Sequence, residues 1–215
     1  MRRRNFMDKS VSERISIVFV TICISVGVAA GGSLNAPSGL LTDGVHNPMC
    51  VDSETVSFTW AMNDYAKSSI QRAYQIMVAS SPSNIEKSNG DEWNSGEVIS
   101  SRSAGVEYDG RSLSPGARYW WKVRVWDNHN NVSPWSETAI FDVGLSKSDW
   151  TADYIWDGTT NENNFAYFRK SFDITKAVKR AKVYVSANNE YKLYFNGEYV
   201  GRGPARSSPN LCVKS

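Results

Sequence analysis

From Pro37 onward the chain shows no sustained apolar period of 3.6 residues. Short runs of alternating apolar and polar residues take its place, bounded by Gly, Asn, Asp, Ser and Pro. Residues 56–60 put Val56, Phe58 and Trp60 on one face, and residues 74–78 do the same for Tyr74, Ile76 and Val78. Residues 119–126 carry the strongest signal: Tyr119, Trp121, Val123 and Val125 share one face, while Trp120, Lys122, Arg124 and Trp126 share the other. The stretch Asp127-Asn128-His129-Asn130-Asn131 reads as a turn. It leads through Ser133, Pro134, Trp135 and Ser136 into a last strand over 138–143. The pattern predicts about seven strands within 37–144, the content of an immunoglobulin or fibronectin type III sandwich.

A polar joint, 145–152, follows, and alternation resumes over 166–172 and 181–186. Residues 191–195 then meet Asn196-Gly197, with a second alternating run after it; this is the strongest short-range hairpin signal a sequence offers. Asn196 is accordingly expected to be a type I′ turn residue rather than a ligand. The fold class expected for the whole is all-β: a fibronectin type III/Ig-like sandwich over 37–144, then an incomplete jelly-roll-like sandwich over 153–215.

Residues 1–30 behave differently. Five basic and two acidic side chains lie there, and residues 15–30 carry no charge. That apolar run is short for a bilayer-spanning helix, which needs about 20 residues, but suits a secretory signal. Val28 and Ala30 place small residues ahead of a cleavage site between Ala30 and Gly31, residues 31–36 forming a linker. A retained signal anchor is the alternative. Removal of 1–30 changes the charge picture, because the remaining residues hold 19 basic and 20 acidic side chains. The basic surplus of the precursor therefore gives no support to a nucleic-acid surface. An exported, periplasmic or extracellular monomer with no membrane span after processing is expected.

Chemistry is sparse. The histidines are His46 and His129 alone, and no Cys/His cluster exists, which argues against structural zinc. Cys50 and Cys212 could form one disulfide in an oxidising compartment, but they fall in different expected domains, so free thiols are expected. No nucleophile elbow, phosphate loop or clustered acid motif is present, and no catalytic residue is assigned. Trp120 and Trp126, interleaved with Lys122 and Arg124 and near Trp135, form either a self-stacking cation–π ladder, the favoured reading, or a sugar-stacking platform. Arg202 and Arg206 flank a tight cationic loop whose guanidinium forks suit a carboxylate or a sugar hydroxyl, although a solvated loop is the simpler account. Trp120, Trp126, Arg202 and Arg206 are thus the candidate carbohydrate-binding residues.

In combination these segments resemble the N-terminal, non-catalytic part of bacterial α-L-rhamnosidases. The resemblance is carried by Pro37-Ser-Gly-Leu40, His46-Asn-Pro48, Ser57-Phe-Thr-Trp60, the runs 71–81, 92–98 and 119–127, Ser133-Pro-Trp-Ser-Glu137, Asp149-Trp150, 191–201 and Gly203-Pro-Ala-Arg206. It implies a fibronectin-like domain followed by a β-sandwich often regarded as carbohydrate-binding. The acidic catalytic residues of such enzymes lie in a helical barrel further along, so none transfers to this sequence. Rhamnose-containing glycan is the implied partner. No cofactor is implied, and calcium would enter only with a complete second module. After Asp149 the sequence is too short for a jelly roll of about eight strands, and residues 151–215 are expected to be marginal in stability.

Overall fold

The computed structural model describes residues 34–64, 68–158, 165–187 and 190–203. Its elements in order are β1 (Asn35–Thr42), β2 (Ser57–Asn63), β3 (Gln71–Ala79), α1 (Pro82–Glu86), β4 (Trp93–Asn94), β5 (Val98–Ile99), β6 (Val106–Glu107), β7 (Arg118–Asp127), β8 (Ala139–Asp142), β9 (Tyr191–Phe195) and β10 (Glu198–Gly203). β1, β2 and β6 form one antiparallel sheet; β4, β3, β7 and β8 form a second, with β5 also pairing β3. The two sheets pack face to face as an immunoglobulin-like sandwich.

The alternation in the sequence explains the core. Val56, Phe58 and Trp60 come from one sheet; Tyr74, Ile76, Val78, Tyr119, Trp121, Val123 and Val125 come from the other, and all are buried. Phe58 sits at the centre, 4.4 Å from Trp121 and 5.9 Å from Phe141 between ring centroids. Trp60 meets Tyr74 edge to face at 5.2 Å, and its indole N–H donates to Gln71 Oε1 at 3.0 Å. Aromatic pairs in these geometries contribute about 0.5–1.5 kcal/mol each beyond their buried area.

Two features go beyond the sequence pattern. Ser81 caps α1 by accepting the Asn84 N–H at 3.2 Å, and Pro82 occupies the first helical turn, where its missing N–H does no harm. The single buried residue of α1, Ile85, packs on Met77 and Ala79, so β3 is covered on both faces over that stretch. Cys50 is disulfide-bonded, which corrects the expectation of a free thiol. Position along the chain does not fix which sulfurs approach in space, which is what a disulfide requires. Cys23 and Cys212 lie outside the described residues.

In the second region, β9 and β10 pair through Asn196 (φ 50°) and Gly197 (φ 86°), the two positive φ angles that a type I′ turn requires. The segments 166–172 and 181–186, predicted as strands, make no ladder among the described residues. Most of their apolar side chains are exposed, with Tyr167 at 99% and the neighbouring Phe165 at 83%, whereas Tyr184 is half-buried.

Candidate functional site

The outer face of the larger sheet is where chemistry gathers. Alternation from the buried Tyr119 places Arg118, Trp120, Lys122, Arg124 and Trp126 of β7 on that face. Opposite them on β3 stand Ala79, Met77, Gln75 and Ala73, in register with Trp120, Lys122, Arg124 and Trp126. A third strand completes the arrangement without being a regular strand. Val125 and Val123 donate their backbone N–H groups to the hydroxyls of Ser133 and Ser136, both at 3.0 Å. Their carbonyls accept the Ser133 and Ser136 N–H groups at 2.9 and 2.8 Å. The segment advances three residues for every two of β7, so carbonyls alone cannot stay in register, and serine oxygens take over as acceptors. Trp135, between the two serines, is thereby laid across the face.

The result is a ladder. The Arg124 guanidinium lies 5.0 Å from the Trp126 ring centroid and 4.8 Å from that of Trp135, and Lys122 Nζ lies 5.0 Å from Trp135. Arg124 is oriented from below: its Nε donates to Gln75 Oε1 at 2.8 Å, and Gln75 Nε2 donates to Asn94 Oδ1 at 2.7 Å. Lys122 is buried and donates to the Ile85 carbonyl at 2.7 Å and to Ser88 Oγ at 2.9 Å. Burial pushes the Lys122 ammonium below its ordinary pKa. Among the described residues neither Lys122 nor Arg124 forms an ion pair with a carboxylate.

The same face carries a different cluster at its other end. Asp142 of β8 is buried and takes a bidentate fork from Arg118, 2.7 Å to Oδ1 and 2.9 Å to Oδ2. Lys182 reaches Oδ2 at 3.1 Å and also donates to the Gly116 carbonyl at 2.9 Å; Arg180 stands 3.6 Å from Oδ1. Burial alone would raise the Asp142 carboxyl, but the Arg118 and Lys182 hydrogen bonds outweigh it and hold the group below its ordinary value of 3.8. Asp127 ends β7 in a similar balance: burial opposes ionisation, and contacts from Asn131 and His129 overcome it. Its carboxylate accepts the His129 and Asn131 N–H groups, both at 2.8 Å, which fixes the turn expected over 127–131.

Of the candidate sugar residues, Trp126 is part-exposed at the ladder's end, whereas Trp120 packs against the Met77, Ala79 and Ile85 cluster beneath α1. Arg202 is exposed on β10, in a separate sheet from the tryptophans. Arg206, and the cleavage site at Ala30 and Gly31, lie outside the described residues. Sequence reasoning missed Ser133 and Ser136 as ladder acceptors, though Ser-Pro-Trp-Ser beside a strand was the signal. It also missed Asp142, which nothing local distinguishes from a strand-end acid.

The family described as Rha78A-like, N-terminal immunoglobulin domain matches residues 37–147. The chain belongs to this family. An α-L-rhamnosidase of Formosa agariphila is 35% identical over 186 residues, covering 75% of this chain and 20% of the relative. One from an Alteromonas species is 31% identical over 196 residues, covering 86% and 21%. The solved α-L-rhamnosidase from Dictyoglumus thermophilum superposes with a TM-score of 0.54 at 36% identity, covering 56% of this chain and 14% of that one. The Streptomyces avermitilis α-L-rhamnosidase, solved with L-rhamnose, gives 0.52 at 36%, covering 54% and 11%. The chain thus spans about a fifth of the curated relatives' length. The family assignment places the Rha78A-like domain on the sandwich that holds both the ladder and Asp142.

Proposed function

We propose that this chain is the N-terminal, non-catalytic region of an exported α-L-rhamnosidase acting on rhamnose-containing glycans, with the Rha78A-like domain as scaffold and carbohydrate-facing module. The observation that carries this reading is collinear identity with named α-L-rhamnosidases across three quarters or more of the chain. The ladder of Trp126, Arg124 and Trp135 supports the carbohydrate-facing part of the reading, since stacked indoles and guanidinium suit stacking and hydrogen bonding. Export rests on the charge and apolar pattern of 1–30, with cleavage between Ala30 and Gly31. The purified chain incubated with 4-nitrophenyl α-L-rhamnopyranoside should release no nitrophenolate; turnover proportional to chain concentration would refute the non-catalytic assignment. N-terminal sequencing of the exported product should begin at Gly31.

A stand-alone carbohydrate-binding module is the second reading, favoured by the part-exposed Trp126 and by Arg124 beside it, which has no carboxylate partner among the described residues. Its partner would be a glycan rather than a nucleic acid, since the processed chain has no basic surplus.

A further inference from the structure

We propose that the open end of the ladder is a binding subsite for a carboxylate-bearing pyranose, a uronic acid unit of a glycan, held by Arg124 and the apolar row at Trp126. The proposal refines the carbohydrate-facing reading above and rests on it. Three parts of the outer face have different coverings. The end at Arg118 and Asp142 is closed by Lys182 and Arg180, and the middle is closed by α1 through Ile85 and Trp120. No described residue covers the remaining end. There the strand registers line up Ile99 of β5, Ala73 of β3, Trp126 of β7 and Val132 in one row across the sheet. Ile99 is 69% exposed and Val132 47%, while Ala73 is fully buried between its neighbours as the floor. An apolar row with a part-exposed indole suits the C–H face of a pyranose.

Charge decides which pyranose. The next row holds Arg124, part-exposed, with its Nε committed to Gln75 and no hydrogen bond from either terminal nitrogen to a described residue. Stacking against Trp126 and Trp135 fixes the plane of the guanidinium, so its free edge presents a preset fork. A planar carboxylate matches that fork in a bidentate manner, and a neutral hydroxyl does not. Lys122, one row further, is buried beneath α1 with its ammonium donating to the Ile85 carbonyl and Ser88 Oγ, so Arg124 is the cation that faces the open row. A guanidinium edge with no carboxylate partner among the described residues, set beside an apolar row, complements an anionic sugar.

The test is calorimetric titration of the full chain with tetragalacturonate, in parallel with a neutral rhamno-oligosaccharide of the same length, at low and high NaCl. The expected result is binding of the uronate that weakens as salt rises, with the neutral sugar at least about tenfold weaker. Ile99→Asp puts a carboxylate on an exposed row position, so it should abolish uronate binding without shifting the melting temperature. Arg124→Gln should weaken binding about tenfold, and Arg124→Lys should restore only part of it. Uronate binding unaffected by Ile99→Asp overturns the proposal. Equal or tighter binding of the neutral sugar also overturns it while sustaining the carbohydrate-facing reading, and absence of binding to either glycan overturns both. Concentration-dependent dimerisation that Ile99→Asp abolishes would reassign the row to a contact between two copies, and so overturn it as well.

Discussion

Replacing Asp142 with Asn tests whether one buried carboxylate ties the segment around Lys182 to the sandwich. Asn keeps the shape and can still accept from Arg118, so no cavity forms; what disappears is the negative charge. Arg118 and Lys182, whose side chains are 27% and 20% exposed, then face each other across a neutral amide. Leaving a partner of a fully buried ion pair uncompensated costs about 3–5 kcal/mol. Residual solvent access at both cations trims this to roughly 2–3 kcal/mol. For a domain of this size that corresponds to a melting temperature lower by about 10 °C. The pH dependence supplies the sharper check. The folded carboxyl lies below its ordinary value of 3.8, so its stabilisation is fully present above that pH and fades as pH falls through the folded value. The slope of the fading is at most about 1.4 kcal/mol per pH unit. Thermal melts followed by circular dichroism should therefore show wild type and Asp142→Asn well apart at pH 7 and drawing together below pH 3.8. A gap under about 2 °C at pH 7 would refute the argument, as would a gap that stays constant from pH 7 to pH 3.

Ser136→Ala removes the acceptor for the buried Val123 N–H and should destabilise the sandwich by about 1–3 kcal/mol in urea unfolding, whereas Glu137→Ala on the exposed neighbour should change little. Thr42→Val should act in the opposite sense: Thr42 is buried and its hydroxyl has no hydrogen-bond partner among the described residues, so the isosteric swap is expected to raise stability by about 1 kcal/mol in the same assay. Limited proteolysis should cut first within 151–187, where Tyr167 and Phe165 are exposed, and leave a resistant core that begins near Asn35 and ends near Asp149. Equal resistance of both regions would contradict this.

How much of this was legible in the sequence depended on how local each cause is. β2, β3, β7 and β8 were readable because burial on one face imposes a period of two, and Val56, Phe58, Tyr119 and Trp121 obey it. The β9–β10 turn was readable because Asn-Gly tolerates two positive φ angles. α1 was missed: five residues are too few to show a helical period, and only Ser81-Pro82 marked its start. The Arg124 and Trp135 stacking was suspected from composition, but its geometry depends on serine hydroxyls substituting for carbonyls, which alternation does not encode. Asp142 was illegible for a stronger reason, since two of its partners, Arg180 and Lys182, arrive from about forty residues later.

The same non-local contact accounts for the one place where alternation promised strands that did not form. Residues 181–186 alternate faithfully, and the structure uses the alternation, but the side bearing Lys182 and Tyr184 is the one turned toward the sandwich. Lys182 docks on Asp142 and the Gly116 carbonyl, while Val183 and Val185 face outward at 52% and 36% exposure. A period of two states that a segment has two faces; it does not state which face is covered. Ordinarily apolar burial settles that question, at about 25 cal/mol per Å². Here Lys182 reaches Asp142 Oδ2 at 3.1 Å and the Gly116 carbonyl at 2.9 Å, and Tyr184 on the same side is half-buried, so hydrogen bonds and aromatic burial together turn this side inward. The Lys182 contacts and the burial of Tyr184 thus hold the segment against the Rha78A-like domain, and the outward placement of Val183 and Val185 follows from that choice rather than from any failure of the sequence pattern.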